Sequence, residues 1–138
     1  FAKAFIGLMG NVHAIGEAYH ITSDESVTWN QIYRIIADEL GVAYKPYYVT
    51  SEFLHAAGKY DYRGGLIGDK SNTVVFDNSK IKKFVPDFHC EVSFEEGAKR
   101  VVEWFDADPA ARAIVDYDWD KDMDDLVATY RAGLPKRG

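Results

Sequence analysis

HITSDESVTWNQIYRIIADELG, residues 20–41, holds a short run of strand-forming residues, a turn, and a helix with both ends marked. Thr28 and Gln31 stand three apart. At that spacing a threonine hydroxyl takes the amide of the third helical residue and the glutamine reaches back to the cap amide, so a helix is expected after Thr28. Trp29, Ile32, Ile35, Ile36 and Leu40 recur at three and four and mark one apolar face, with Asn30, Arg34, Asp38 and Glu39 opposite. Gly41 supplies the residue that takes the left-handed conformation after the last turn.

Upstream, FAKAFIGLMGN (1–11) puts Phe1, Ala4, Phe5 and Leu8 on one helical stripe with neither Met nor a cap before it. The chain is therefore expected to be an excerpt of a longer protein. Downstream, the β-branched and aromatic runs at 18–22, 42–49 and 73–76 predict three short strands, the second at an edge because Pro46 cannot donate to a ladder. A short helix is expected from Thr50 or Ser51 to Gly58. Another follows Asp77 and stops before Pro86, a third starts at the Ser93/Glu96 capping pair, and a fourth spans about 119–132 with Met123, Leu126, Val127 and Tyr130 inward.

With 138 residues, 47% of them hydrophobic, one domain with a real core is expected, and no run approaches the length of a membrane-spanning helix. A net charge of −6 argues against nucleic acid as a partner, because such proteins present a basic stripe. The single cysteine, Cys90, points to a reducing, cytoplasmic setting and is expected to be buried and inert.

Few patterns carry chemistry. Six aspartates between 116 and 125 alternate like a calcium loop, but its sixth and twelfth positions are Lys121 and Val127, so a helix start and a solvated face explain them better. Tyr117 and Lys121 make Y-x-x-x-K, a spacing that chance readily supplies among nine tyrosines, and it is rejected as catalytic. Four histidines show no metal spacing, and no phosphate-cradling glycine motif occurs. The segment 58–72 is different. Among its four glycines it gathers Lys59, Arg63 and Lys70 as cations and Tyr60 and Tyr62 as stacking surfaces, a set suited to a phosphorylated or sugar-bearing ligand; an ordinary mobile loop is the plainer reading.

Three ordered stretches add a likeness: GEAYHITSDESVTWNQIYRIIADELG (16–41), GDKSNTVVFDNSKIKKFVPDF (68–88) and VSFEEGAKRVVEWF (92–105). Together they resemble the C-terminal part of extended short-chain dehydrogenase/reductases, the NAD-dependent epimerase/dehydratase family, over roughly residues 1–107. The resemblance implies an α+β fold, a small helix-rich lobe of about five helices with two or three short strand pairs, broken off a larger Rossmann-type α/β enzyme. Residues 1–138 would then be one C-terminal substrate-binding domain, inactive alone, whose parent takes NAD or NADP on an absent N-terminal Rossmann domain and acts on a nucleotide sugar. The implied ligand contacts are Tyr60, Tyr62, Arg63, Asp69 and Lys70, with no catalytic, cofactor or metal residue in this chain. The family's diphosphate-holding Arg lies just before the strand that enters the D-x-S-K helix; here that place reads Gly68–Asn72, so Arg63 lies further back and Lys70 stands in as a point charge. A lobe without its partner would expose an apolar face through which two copies can pair. The wording is also similar to an atypical branch related to chloroplast stem-loop binding proteins, which implies as an alternative a non-catalytic RNA-binding homologue, locally supported by Lys80, Lys82 and Lys83.

Overall fold

A computed structural model describes residues 1–135. In chain order it contains α1 (Ala2–Leu8), a 3-10 turn (Val12–Ala14), α2 (Trp29–Glu39), α3 (Ser51–Ala57), a π-helical segment (Arg63–Asp69), α4 (Ser79–Phe84), α5 (Phe94–Asp106), α6 (Pro109–Arg112) and α7 (Tyr117–Gly133). The expected α+β architecture is overturned: no strand occurs among the described residues. Residues 18–22, 42–49 and 73–76 have strand composition but form no ladder. β-propensity describes how side chains suit a pleated surface, and it makes no strand unless a neighbouring backbone supplies the hydrogen bonds.

The chain divides into two compact units, Phe1–Tyr44 with Val74–Ala107, and Lys45–Thr73 with the residues from Asp108 onward. In the first unit the α2 capping box forms as the spacing demands: Thr28 Oγ1 accepts the Gln31 N–H at 3.3 Å and Gln31 Oε1 accepts the Thr28 N–H at 2.7 Å. Gly41 ends the helix at φ +66°. The face is only partly covered, since Ile32, Ile35 and Ile36 are half-buried while Trp29 and Leu40 stay exposed. Ser93 Oγ caps α5 through the Glu96 N–H at 3.1 Å, but Glu96 turns outward to Arg100, and Glu25 Oε2 instead accepts the Phe94 N–H at 2.7 Å. Helices α2 and α5 pack on each other, and the buried residue of each is an alanine, Ala37 and Ala98. A second contact joins α1 to α4 around Ala4, Ile81 and Phe88, with Leu8, Tyr19, Ile21 and Val85 against them.

In the second unit Thr50 caps α3 through the Phe53 N–H, Gly58 follows it, and α3 packs on the π-helical segment. That segment replaces the plain loop expected there. It closes through Leu66 N–H to Tyr62 O at 2.9 Å and Lys70 N–H to Gly65 O at 3.1 Å, the second bond being the wider π-type closure. Helix α7 starts two residues before the sequence suggested, with Asp116 Oδ1 accepting the Trp119 N–H. It turns Leu126 inward with Met123, Val127 and Tyr130 half-buried, and Tyr130 meets Phe53 edge to face at 5.0 Å.

In the first unit large apolar side chains stay exposed: Phe1, Phe5, Ile6 and Met9 on or beside α1, and Val101, Trp104 and Phe105 on α5.

Candidate functional site

The residues singled out in 58–72 all belong to the second unit. Tyr60 and Tyr62 stand edge to face with centroids 6.4 Å apart and an interplanar angle of 82°. Gly58 allows this: a Cβ there would lie 2.7 Å from the Leu54 carbonyl oxygen and 2.8 Å from Tyr62 Cε2. Tyr60 is 41% exposed, whereas the Tyr62 hydroxyl is buried with no hydrogen-bond partner among the described residues. Burial first, then the carboxylates of Asp116, Asp122 and Asp118, pushes the Tyr60 phenol above its ordinary value; burial, then Asp122 and Tyr60, does the same to Tyr62. Both phenols therefore stay protonated well above neutrality. They suit stacking and hydrogen-bond donation, and a phenol poised for proton abstraction would need the opposite shift.

Asp122 was missed in the sequence as a site residue. It is 4% exposed, its Oδ2 accepts the Lys59 N–H at 3.3 Å and its Oδ1 lies 3.9 Å from Lys59 Nζ, so α7 holds the tyrosine segment at its base. The signal was present: Asp122 sits four residues before Leu126 and eight before Tyr130, on the inward stripe of α7 rather than its solvated face. His55, in the last turn of α3, brings Nδ1 within 3.4 Å of Asp61 Oδ1 without the alignment of a hydrogen bond.

The other three candidates divide. Arg63 opens the π-helical segment with its amide on Asp61 Oδ1 at 2.9 Å, and its guanidinium makes no hydrogen bond or ion pair among the described residues. Asp69 and Lys70 end the segment paired with each other at 3.1 Å, so the point charge proposed for a phosphate is already half-neutralised. No ring or polar contact joins that pair to the tyrosines among the described residues. Elsewhere, Tyr117 is exposed and Lys121 Nζ is held by Asp125 at 2.6 Å, so the Y-x-x-x-K pair makes no phenol–ammonium couple.

In the first unit a groove of about 450 Å³ is lined by Asp24, Val75–Ser79 and Lys82. Its most buried lining residue is Asn78, 4% exposed, whose Oδ1 accepts from the Thr22 N–H and Oγ1 and whose Nδ2 donates to Thr22 O at 2.7 Å and to Asp24 Oδ1. Asp24 takes Lys82 Nζ at 2.6 Å, and Asp77 accepts both the N–H and the hydroxyl of Ser79; Lys82 and Ser79 respectively are the main reason each carboxyl sits below its ordinary value. Asp77 thus does cap the chain entering α4, though Asn78 occupies the cap position. Lys80 is bound to Glu17 at 2.6 Å, so two of the three lysines of the basic cluster already hold carboxylates. Cys90 is exposed, contrary to the buried thiol expected, because it lies in the irregular stretch between α4 and α5; its Sγ is 3.6 Å from Thr22 O.

Neither a protein-family model, nor a curated protein, nor a solved structure matches this chain. No helix among the described residues is long and apolar enough to cross a membrane, and no three histidine, cysteine or acidic side chains there are grouped to hold a metal ion.

Proposed function

We propose that this chain is the substrate-binding lobe of a cytoplasmic NAD(P)-dependent nucleotide-sugar epimerase/dehydratase of the extended short-chain dehydrogenase/reductase type. The observation that carries the reading is the perpendicular pair of protonated tyrosines, Tyr60 and Tyr62, followed directly in the chain by Arg63, whose guanidinium has no partner among the described residues. Tyrosine faces take a base or sugar ring, and a free guanidinium takes a phosphate in bidentate fashion. Lys70, already bound to Asp69, contributes less, and Asp69 can accept a sugar hydroxyl. The three ordered phrases support the family assignment. The lobe's part in the reaction is to orient the sugar and exclude water, while NAD or NADP binds the missing Rossmann domain, since this sequence has no glycine-rich cofactor turn.

The RNA-binding alternative has little to draw on, with Lys80 and Lys82 committed to Glu17 and Asp24. The test is the melting temperature of the 138-residue chain against UDP-, GDP- and dTDP-sugars. A selective ligand at a hundred times its Kd adds about 2.7 kcal/mol. A rise with one nucleotide sugar that disappears in Arg63→Ala is the expected result; no rise with any of them, or a rise that Arg63→Ala leaves intact, overturns the site.

A further inference from the structure

We propose that Val74–Asp77 is a docking edge for an extended polypeptide segment carrying a basic side chain, seated along the groove lined by Asp24, Val75–Ser79 and Lys82. This surface is separate from the tyrosine site and does not depend on the reading given for it.

The first observation is main-chain. From Thr73 to Asp77 the chain forms no helix, turn or ladder, and no N–H or C=O of Val74–Asp77 takes part in a hydrogen bond among the described residues. An unpaired run of β-branched and aromatic residues is what strand addition uses: the backbone supplies affinity and the neighbouring side chains supply choice. The second is exposure. Val74, Val75 and Phe76 are 63%, 69% and 53% exposed in succession, where the sequence predicts a short strand. One flank is already built, because His20 meets Phe76 edge to face at 5.0 Å and Thr22 is bound to Asn78, so residues 20–22 follow 76–78 in the same direction.

The groove then selects the occupant. Asn78, Asp24 and Lys82 are committed to Thr22 and to one another and act as walls. Asp77 is the acidic lining residue with no ion-pair partner among the described residues; His20 and Lys83 act on it only at longer range, and Ser79 keeps it ionised. In an extended run the ionised carboxylate of Asp77 shares a face with Val75, which calls for a basic and an apolar side chain on one face of the incoming strand, hence two residues apart. A second copy of this chain is the poorer occupant. In an antiparallel alignment centred on Val75 it places Thr73 opposite Asp77, and in a parallel one another Asp77, so neither brings a cation.

The probe is an end-blocked pentapeptide, valine–threonine–lysine–threonine–valine, with glutamate for lysine as control. It is titrated into the 138-residue chain by calorimetry and by hydrogen exchange at Val74–Asp77. The lysine peptide is expected to bind saturably and to slow exchange at those amides, with the glutamate peptide about fivefold or more weaker. Asp77→Asn should erase that preference. Val75→Pro should abolish binding and leave the helical circular dichroism unchanged, because the Val75 N–H makes no internal bond. Four results overturn the proposal: no slowing at about 1 mM peptide, equal binding of the two peptides, a lysine preference that survives Asp77→Asn, or amides already protected without peptide in a chain that sediments as a dimer.

Discussion

Asn78 holds Thr22 by both of its main-chain groups, accepting the Thr22 N–H at 3.3 Å and donating to the Thr22 carbonyl at 2.7 Å. One buried amide side chain thus does for Thr22 what a neighbouring strand would do. Asn78→Ala leaves the Thr22 N–H without a partner and its carbonyl with only the Cys90 thiol at 3.6 Å, and a loss of about 2–3 kcal/mol is expected in urea unfolding. Asn78→Asp should cost more at neutral pH, since it turns a carboxylate toward the Thr22 carbonyl and Asp24. If Asn78→Asp proved as stable as the parent chain, the assigned amide orientation would be wrong.

The two caps offer a graded comparison. Thr28→Ala and Ser93→Ala should each lower stability by about 1 kcal/mol, the usual worth of a side-chain cap. Gln31→Ala should also matter, because its Oε1 accepts from both the Thr28 N–H and hydroxyl, whereas Glu96→Ala should cost little, Glu96 having turned to Arg100. Equal losses from Gln31→Ala and Glu96→Ala would contradict the one-sided cap on α5.

Glycines separate sterics from backbone preference. Gly41→Ala meets open space and should cost about 1 kcal/mol through its φ of +66° alone. Gly58→Ala has an ordinary φ but meets the Leu54 carbonyl oxygen at 2.7 Å, which cannot swing away as a side chain could, so a loss of about 1–3 kcal/mol is expected. Because that Cβ also lies on Tyr62, Gly58→Ala should alter tyrosine fluorescence in the folded chain. Gly41→Ala should leave it unchanged.

Stability should be flat near neutrality and fall at both ends of the pH scale. Asp24, Asp77 and Glu17 are held below their ordinary values, chiefly by Lys82, Ser79 and Lys80, so their contribution is present above 3.8–4.5 and is lost as pH falls through the lowered folded values. The Tyr60 and Tyr62 phenols are raised by burial and by nearby aspartates, and Lys121 by Asp125. Their contributions are present below about 10 and are lost as pH rises past it. Melting curves across pH test both limbs. Asp122→Asn should bring part of the tyrosinate absorbance rise to lower pH, since Asp122 acts on both phenols; an unchanged titration would place that carboxylate elsewhere.

Where the sequence was legible, the information was local. Thr28, Gln31 and Gly41 bound α2 because a cap is decided within one turn of chain, and the same holds for Thr50 and Ser93; the cap of α7, Asp116, was hidden in the acidic run, and the sequence put that start near 119. The π-helical segment was not legible: Gly64, Gly65 and Gly68 signal freedom without saying how it is used. Of the candidate site, the Tyr60/Tyr62 pair could be read from two aromatic residues in a glycine-rich stretch. The burial of Asp122 was visible only as a carboxylate on an apolar stripe, and the pairing that ties up Lys70 depends on a side-chain orientation that no spacing specifies.

By itself the sequence determined α1 to α5 and the capped starts of α2, α3 and α5, the apolar stripes and the acidic charge, because each follows from contacts three or four residues apart or from composition; α6, the π-helical segment and the start of α7 it did not. Only the tertiary structure decided that 18–22, 42–49 and 73–76 stay unpaired, that Asn78 stands in for a strand beside Thr22, and that Asp122 lies beneath the tyrosines. Strand pairing and side-chain burial require groups distant in sequence to meet, and that depends on how the helices pack rather than on any single stretch of residues.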